Sequence, residues 1–480
     1  MQSIKKTLFL PIEIIPRELD SKLLIAHKAL EKGYSVVVGS KGGVYKSARS
    51  YGSGIYLYKD HSLLSANMLD ELSTLGLKIA VLDEEGLSWP SPEEYFSRRV
   101  NDKAFQVSDA IFAWGKKQYD IIVKTPSADE KKIHLVGNPR FDILHPKYIK
   151  YIEDQAKYNL SFFEEDYVLI NSMFTPGNWN PFLYGTPSYV EHMRIRGLIQ
   201  NDEQLNFYTK VSESAAELFD IYVSLLKNLS KKFPKTKFII RPHPDENQEK
   251  WHELFAKEKN VFVENKGSAI YWILRSKVVI YTGCTTAIEA WAMNKPTLRY
   301  HPIPETKFGP FLPNQFGKTI KSETELFKEL ELILDSSKDI RFDVDPDYVE
   351  SFIKNAFTAD AAEKIINVLD SFYNGDNLIN RFSFKQLKKR IKVLLLFDIK
   401  KRWGSRIVSK LKRTLKQKDV EKDLKTTQAK SQKFPELEHE DIEARLSSLD
   451  KINGKNKKQK WDIVKLESNT FKIDNPKTKL

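Results

Sequence analysis

Apolar positions along the first third of the chain follow two alternating rhythms. Short, nearly unbroken apolar runs at residues 8–15, 35–39, 78–82, 110–114 and 133–136 alternate with helix-like stretches, of which 21–32 is the most clearly amphipathic. Runs of that length suit strands buried on both faces, and the βαβα alternation predicts a parallel sheet with helices on either side. Residues 137–142, Gly-Asn-Pro-Arg-Phe-Asp, are rich in helix and strand breakers and close this series. A second series opens at residue 167 and continues with a long helix at about 205–232. Strands follow at 237–241, 261–264, 278–282 and 297–300, and a helix at about 347–373 ends it. The expectation is α/β: an N-terminal Rossmann-like domain over 1–145 and a C-terminal one over 160–375, facing each other across a cleft.

Beyond residue 376 the pattern changes. Residues 384–418 place Leu387, Ile391, Leu394, Leu395, Ile399 and Trp403 at roughly helical spacing among Lys and Arg. From 419 to 480 the chain is polar and poor in periodicity apart from a short helix at 437–449, so it reads as mostly flexible.

Composition adds location to this picture. The 480 residues are 41% hydrophobic, enough for two ordinary domains and an extension. The formal net charge is +13, and residues 385–418 carry fourteen Lys or Arg against one acid, which is the whole surplus. That leaves no general case for nucleic-acid binding and one local case for an interfacial helix on an anionic membrane surface. A solvated helix packed on the protein is the plainer alternative. The one cysteine, Cys284, excludes a disulfide framework and a cysteine zinc site and fits a reducing compartment. The N-terminus is broken by Pro11 too early for a signal peptide, and no run approaches the roughly 18 apolar residues of a membrane span. A cytoplasmic protein is expected, peripheral on the inner face of the plasma membrane.

Two turns carry the candidate chemistry of the second domain. Ile239-Ile-Arg-Pro-His-Pro-Asp245 holds a guanidinium and an imidazole between prolines after an apolar run. Tyr281-Thr-Gly-Cys-Thr-Thr-Ala-Ile-Glu289 offers small hydroxyl residues and helix-start N–H groups after another. Strand–turn–helix units of a parallel sheet present such turns at the carboxyl ends of the strands, where ligands bind and where a helix start suits an anion. Arg241, His243, Thr282, Thr285, Thr286 and Glu289 are therefore candidates for binding the phosphate of a nucleotide-linked donor. Asn171 and Ser172, after the domain's first strand, are further donors. A rigid proline turn and an ordinary N-cap are the competing structural readings.

In the first domain, Asp83-Glu-Glu-Gly86 ends a strand. Three adjacent carboxylates repel, which raises at least one pKa and suits a base or nucleophile; Asp83, Glu84 and Glu85 are the catalytic candidates. A solvated acidic turn is the alternative. Glu13 and Arg17 after the first strand, and Gly42 and Gly43 in the loop after the second, are candidates for contacting sugar or acceptor. Asp343-Val-Asp345 resembles a metal-binding pair but falls in a proline-broken loop and reads as structural. The nine histidines show no metal-ligand spacing, no Gly-x-Ser-x-Gly elbow occurs, and no metal or cofactor is expected.

Together these residues give the chain a resemblance to bacterial surface-carbohydrate biosynthesis proteins of the two-Rossmann-domain GT-B glycosyltransferase architecture. More narrowly it resembles CMP-sugar-dependent sialyltransferases and Kdo transferases. The residues that carry this are Glu84-Glu85-Gly86, His243-Pro244 and Thr285-Thr286, with Gly137–Asp142 similar to the domain-closing segment of many such transferases. The resemblance covers residues 5–375. It implies that Arg241, His243, Thr285 and Thr286 hold the CMP phosphate and that an acid of 83–85 is catalytic. The implied partners are a nucleotide-sugar donor and a glycan or lipid-linked glycan acceptor. The pair that is Ser-Ser in the sialyltransferases is Thr-Thr here. A His-Pro motif with a Thr-rich turn also occurs in CDP-polyol phosphotransferases of teichoic-acid type and in UDP-sugar 2-epimerases, which stand as alternatives. A non-catalytic binding module is a third.

Overall fold

β1 (Thr7–Ile12), β2 (Ser35–Ser40), β3 (Gly54–Tyr58), β4 (Leu77–Leu82), β5 (Ala110–Ala113) and β6 (Ile133–Leu135) pair in parallel in the order β2-β1-β3-β4-β5-β6. A second parallel sheet is formed by β7 (Tyr167–Asn171), β8 (Lys237–Arg241), β9 (Val261–Val263), β10 (Ser276–Tyr281), β11 (Thr297–Tyr300) and β12 (Lys318–Ile320). Its order is β12-β11-β10-β7-β8-β9. The structure, a computed structural model, describes residues 6–87, 89, 91–160, 165–304, 312–335, 344–373, 420–455 and 461–476.

Side chains alternate across a strand, so a sheet covered on both faces needs apolar residues at every position. Leu8, Leu10, Ile12, Val36 and Val38 enter one core, while Phe9, Val37, Ile79 and Val81 enter another on the opposite face. In the second sheet Leu169, Val279 and Tyr281 join the first of these cores, and Val168, Ile170, Val278 and Ile280 form a third. One core therefore runs from sheet to sheet through helices Ile15–Glu31, Ile149–Asn159, Ala269–Arg275 and Ala361–Ser371. The arrangement is α/β, two Rossmann-like sheets facing across a cleft, as in GT-B.

The 347–373 stretch is two helices, Pro346–Phe352 and Ala361–Ser371, where the pattern predicts one. Asn355 sits in the break, fully buried. Its amide donates to the Asn138 carbonyl (2.9 Å) and to Asp142 (2.5 Å), and its Oδ1 accepts from the Asn138 N–H (2.9 Å). That clasp ties the returning chain to the end of the first domain. Asp345 caps the first of these helices, and Asp343 lies outside the described residues. β3 and β12 are not legible in the strand series. The tyrosines of Gly54-Ile-Tyr-Leu-Tyr58 and the polar residues of Lys318-Thr-Ile320 obscure both runs.

The polar C-terminus is the largest correction. Residues 420–433 and 439–452 are helices (Val420–Lys433 and His439–Ile452). β13 (Asp462–Glu467) and β14 (Thr470–Asp474) form a hairpin that adds β14 antiparallel to β2. The physical signal is local. Phe471 and Ile473 alternate with polar neighbours and are fully buried, and Ile442, Leu446 and Leu449 share one helix face. Burying each large apolar side chain contributes roughly 1.5–3 kcal/mol, which an average over sixty polar residues hides. The basic stretch 385–418 lies outside the described residues, and the membrane expectation rests there. Among the described residues no helix is long and apolar enough to cross a membrane.

Candidate functional site

In each sheet the strand order reverses beside the first strand, between β1 and β3 and between β7 and β10. Crossovers then leave in opposite directions, opening a crevice at the carboxyl ends of those strands. Side chains bridge both crevices. Asn171, ending β7, donates to Thr286 Oγ1 (3.0 Å) beyond β10. Glu13, after β1, pairs with Lys59, after β3, and with Lys41 (2.6 Å), after β2. The two crevices face each other across one cleft of about 1640 Å³.

On the second-domain side Arg241, His243, Thr285, Thr286, Glu289, Asn171 and Ser172 all line the cleft. His243 Nδ1 accepts the Asp245 backbone N–H (3.2 Å). Its proton therefore sits on Nε2 in the neutral ring, and burial lowers its pKa, so it is an uncharged donor rather than a cation. Ser172 is a strut: its hydroxyl donates to Glu246 (2.9 Å) and accepts the His243 N–H (3.1 Å). Glu246, fully buried with its pKa raised by burial, also accepts from the Phe174 N–H (2.7 Å) and the Trp251 indole (2.7 Å). This buried anchor of the 172–178 loop is invisible in the motif, although it stands two residues past His-Pro.

Arg241 is the most telling group. Its guanidinium donates to the carbonyls of Lys266 (3.3 Å) and Gly267, and burial brings its pKa down to about 10. At neutral pH it is still charged; among the described residues no carboxylate forms an ion pair with it, although Glu289 and Glu264 support its charge from farther off. Thr285 precedes helix Thr286–Ala292 and makes no side-chain cap bond. Thr282 departs from expectation: it is buried against His301 Nδ1 (3.1 Å) and does not line the cleft, because it continues the inward alternation of β10.

The acid cluster also differs from expectation. Its three carboxylates are each held by cations, Glu84 by Lys22 and both Asp83 and Glu85 by Arg99. Asp83 is buried, takes the Arg99 guanidinium and the Tyr95 hydroxyl (3.0 Å), and its pKa is lowered as Arg99 outweighs desolvation. Glu84 pairs with Lys22 at 2.7 Å, both fully enclosed, and its pKa too is lowered. Neither lines the cleft. Glu85 does, with its side chain 42% exposed, between Arg99 (3.0 Å) and Arg17 (3.9 Å). Of the three, Glu85 alone can touch a ligand there.

Glu13 and Arg17 line the cleft; Gly42 and Gly43 do not. Both glycines lie in the first turn of helix Lys41–Tyr51. Gly39 (φ +144°) and Gly43 are free of side chains because β14 runs against them: a Cβ at either would strike Asn469 or Thr470. Gly39 and Gly43 make room for the C-terminal strand, whereas a Cβ at Gly42 would meet nothing. Sequence reasoning also missed Lys41, Lys59, Asp60, Arg99 and Lys433, which line the cleft. Arg140, inside the domain-closing segment, pairs with Glu289 of the other domain at 2.6 Å. Among the described residues no group of three or more His, Cys, Asp or Glu is placed to hold a metal ion.

No protein-family model and no curated protein matches this chain in sequence. Solved structures do match it in shape. The UDP-GlcNAc 2-epimerase from Neisseria meningitidis is similar at 13% identity and a TM-score of 0.42, over 77% of this chain and 100% of that one. The epimerase from Methanocaldococcus jannaschii is similar at 14% and 0.44, over 77% and 100%. The wall teichoic acid polymerase TagF is similar at 12% and 0.48, over 77% and 89%. The likeness is distant, and those activities are the neighbours' own.

Proposed function

We propose that the protein is a transferase acting on a nucleotide-activated donor, and that the group moved is a sugar, taken from a CMP-linked acidic sugar to a surface-glycan acceptor. The observation that carries the reading is the buried, charged Arg241, lining the cleft with no carboxylate in ion-pair contact among the described residues. A buried cation is costly unless something compensates it, and a donor phosphate beside His243 Nε2–H and Thr285 supplies that charge. Glu85, on the opposite domain, removes the proton of the acceptor hydroxyl. The new bond forms at the anomeric carbon, the carbon–oxygen bond to phosphate breaks, and the electron pair leaves on the nucleotide. Arg241 and His243 meet the negative charge that develops there.

A second reading, transfer of polyol phosphate from a CDP-linked donor, is favoured by one feature. Glu289 pairs with Arg140 at 2.6 Å and supports the charge of Arg241 without forming an ion pair with it. Two guanidiniums lining one cleft, Arg140 and Arg241, suit a donor with two phosphates.

Calorimetric titration with CMP, CDP, UDP and GDP in the presence of a chelator separates these. Preference for CMP supports sugar transfer from a CMP donor. Preference for CDP supports the polyol reading, and preference for UDP points to a UDP-sugar 2-epimerase. Binding of none of them overturns the nucleotide-donor reading. His243→Ala should weaken the preferred nucleotide about tenfold or more, the value of a hydrogen bond to a charged group. Unchanged affinity removes His243 from the site.

A further inference from the structure

Helix Val420–Lys433 comes from the segment that reads as a flexible tail, yet it ends against the cleft. It packs on the short helix Pro181–Tyr184 of the second domain, and Lys425 lies over the Phe182 ring. Its last residue, Lys433, lines the cleft. The ammonium pairs with Asp245, donates to the Tyr184 hydroxyl (3.1 Å) and sits 5.0 Å from that ring's centre. Asp245 is also the residue whose N–H fixes the His243 ring, and its carboxylate lies 3.9 Å from His243 Nδ1. One acid thus holds an imidazole and an ammonium together at the carboxyl end of β8.

We propose that Lys433 is a phosphate-positioning residue of the donor site, supplied by the C-terminal helix. The inference rests on the nucleotide-donor reading above and adds to it a residue from outside both Rossmann-like sheets. The side chain is 22% exposed, enough to reach an anion in the cleft while Asp245 and Tyr184 restrict where it points. An ammonium with three donors, two of them engaged here, keeps one for a phosphate oxygen. Its charge also helps keep His243 neutral, which preserves the Nε2–H donor. The helix does not depend on this ammonium for anchorage. Phe434 packs on the main core, Leu437 is buried, and the Leu437 N–H donates to Asn469 (2.8 Å) in the hairpin turn.

The test uses the full-length chain, with CMP, CDP and UDP as phosphate-bearing probes and cytidine and uridine as phosphate-free ones. Lys433→Ala should raise the Kd of the preferred nucleotide about tenfold, leave the matching nucleoside unchanged, and unfold at the same urea concentration as the parent. Lys433→Arg should stay within about threefold of the parent, because the charge is kept. Equal nucleotide affinity for Lys433→Ala and the parent overturns the proposal while leaving the donor reading intact. Equal weakening of nucleotide and nucleoside also overturns it, because a loss independent of phosphate marks a structural role. Failure of the parent to bind any of the three nucleotides overturns the donor reading itself, and this proposal with it.

Discussion

Glu85→Gln should cut turnover by about 10²–10⁴-fold, the usual worth of a positioned general base, while leaving the urea midpoint unchanged. Glu85 is the half-exposed member of the acid cluster, and the amide keeps its shape. Its neighbours should behave in the opposite way. Glu84→Gln strands the enclosed Lys22 ammonium, while Asp83→Asn leaves Arg99 with Glu85 as its remaining partner. Removing one partner of a buried pair costs about 3–5 kcal/mol, so Glu84→Gln should lose stability first and activity only with it, with a smaller loss of the same kind for Asp83→Asn. The pH dependence follows from the same pairs. Asp83 and Glu84 have folded pKa values below their ordinary ones. Their contribution is therefore present above about pH 4 and lost as pH falls through the folded values. Steady-state turnover with the preferred nucleotide-linked donor, alongside urea unfolding, checks the set. Full turnover in Glu85→Gln would take the cluster out of the chemistry altogether.

Arg445→Ala should destabilise the whole fold by about 3–5 kcal/mol. Arg445, on helix His439–Ile452, donates through Nε to Asp20 (3.0 Å), which also accepts from the hydroxyls of Tyr151 and Tyr271 at 2.6 Å each. Asp20 belongs to the first domain's helix Ile15–Glu31, while Tyr271 lies on helix Ala269–Arg275 of the second. The C-terminal helix therefore supplies the countercharge where the two domains meet. Without it a buried carboxylate keeps only neutral donors. The double change Asp20→Asn with Arg445→Met removes both charges and should recover most of the loss. Urea denaturation of the two variants measures this, and a loss below about 1 kcal/mol for Arg445→Ala would show that this ion pair does not contribute to the fold's stability.

The strand series and the two second-domain turns are legible in the sequence because their causes are local. A strand buried on both faces must be apolar throughout, so β1, β2, β4, β7, β8 and β10 declare themselves. Arg241, His243, Thr285 and Thr286 lie at strand ends, and a parallel sheet brings strand ends to one edge. The acid cluster was legible as a place but not as chemistry. Whether Asp83, Glu84 or Glu85 faces the cleft depends on Lys22 and Arg99, which arrive from other helices. The loop reads as a ligand loop because close backbone approach, here of a strand to Gly39 and Gly43, has one sequence signature whether the approaching group is a ligand or a strand.

What the sequence determined by itself is the parallel α/β character of the two units, most of their strands and the turns at the carboxyl ends, since strand periodicity and turn chemistry act over a few residues. Tertiary structure alone decided the partners. It put the Asn171–Thr286 and Glu13–Lys59 bridges across the crevices and, among the described residues, left Arg241 without an ion-paired carboxylate. It turned Thr282 inward, and it brought a polar C-terminus back to complete the first sheet and place Lys433 beside His243. Ion pairing and desolvation depend on which groups meet in space. Residues far apart in the chain, such as Arg445 and Asp20 or Lys433 and Asp245, carry no mark in the sequence that they will meet.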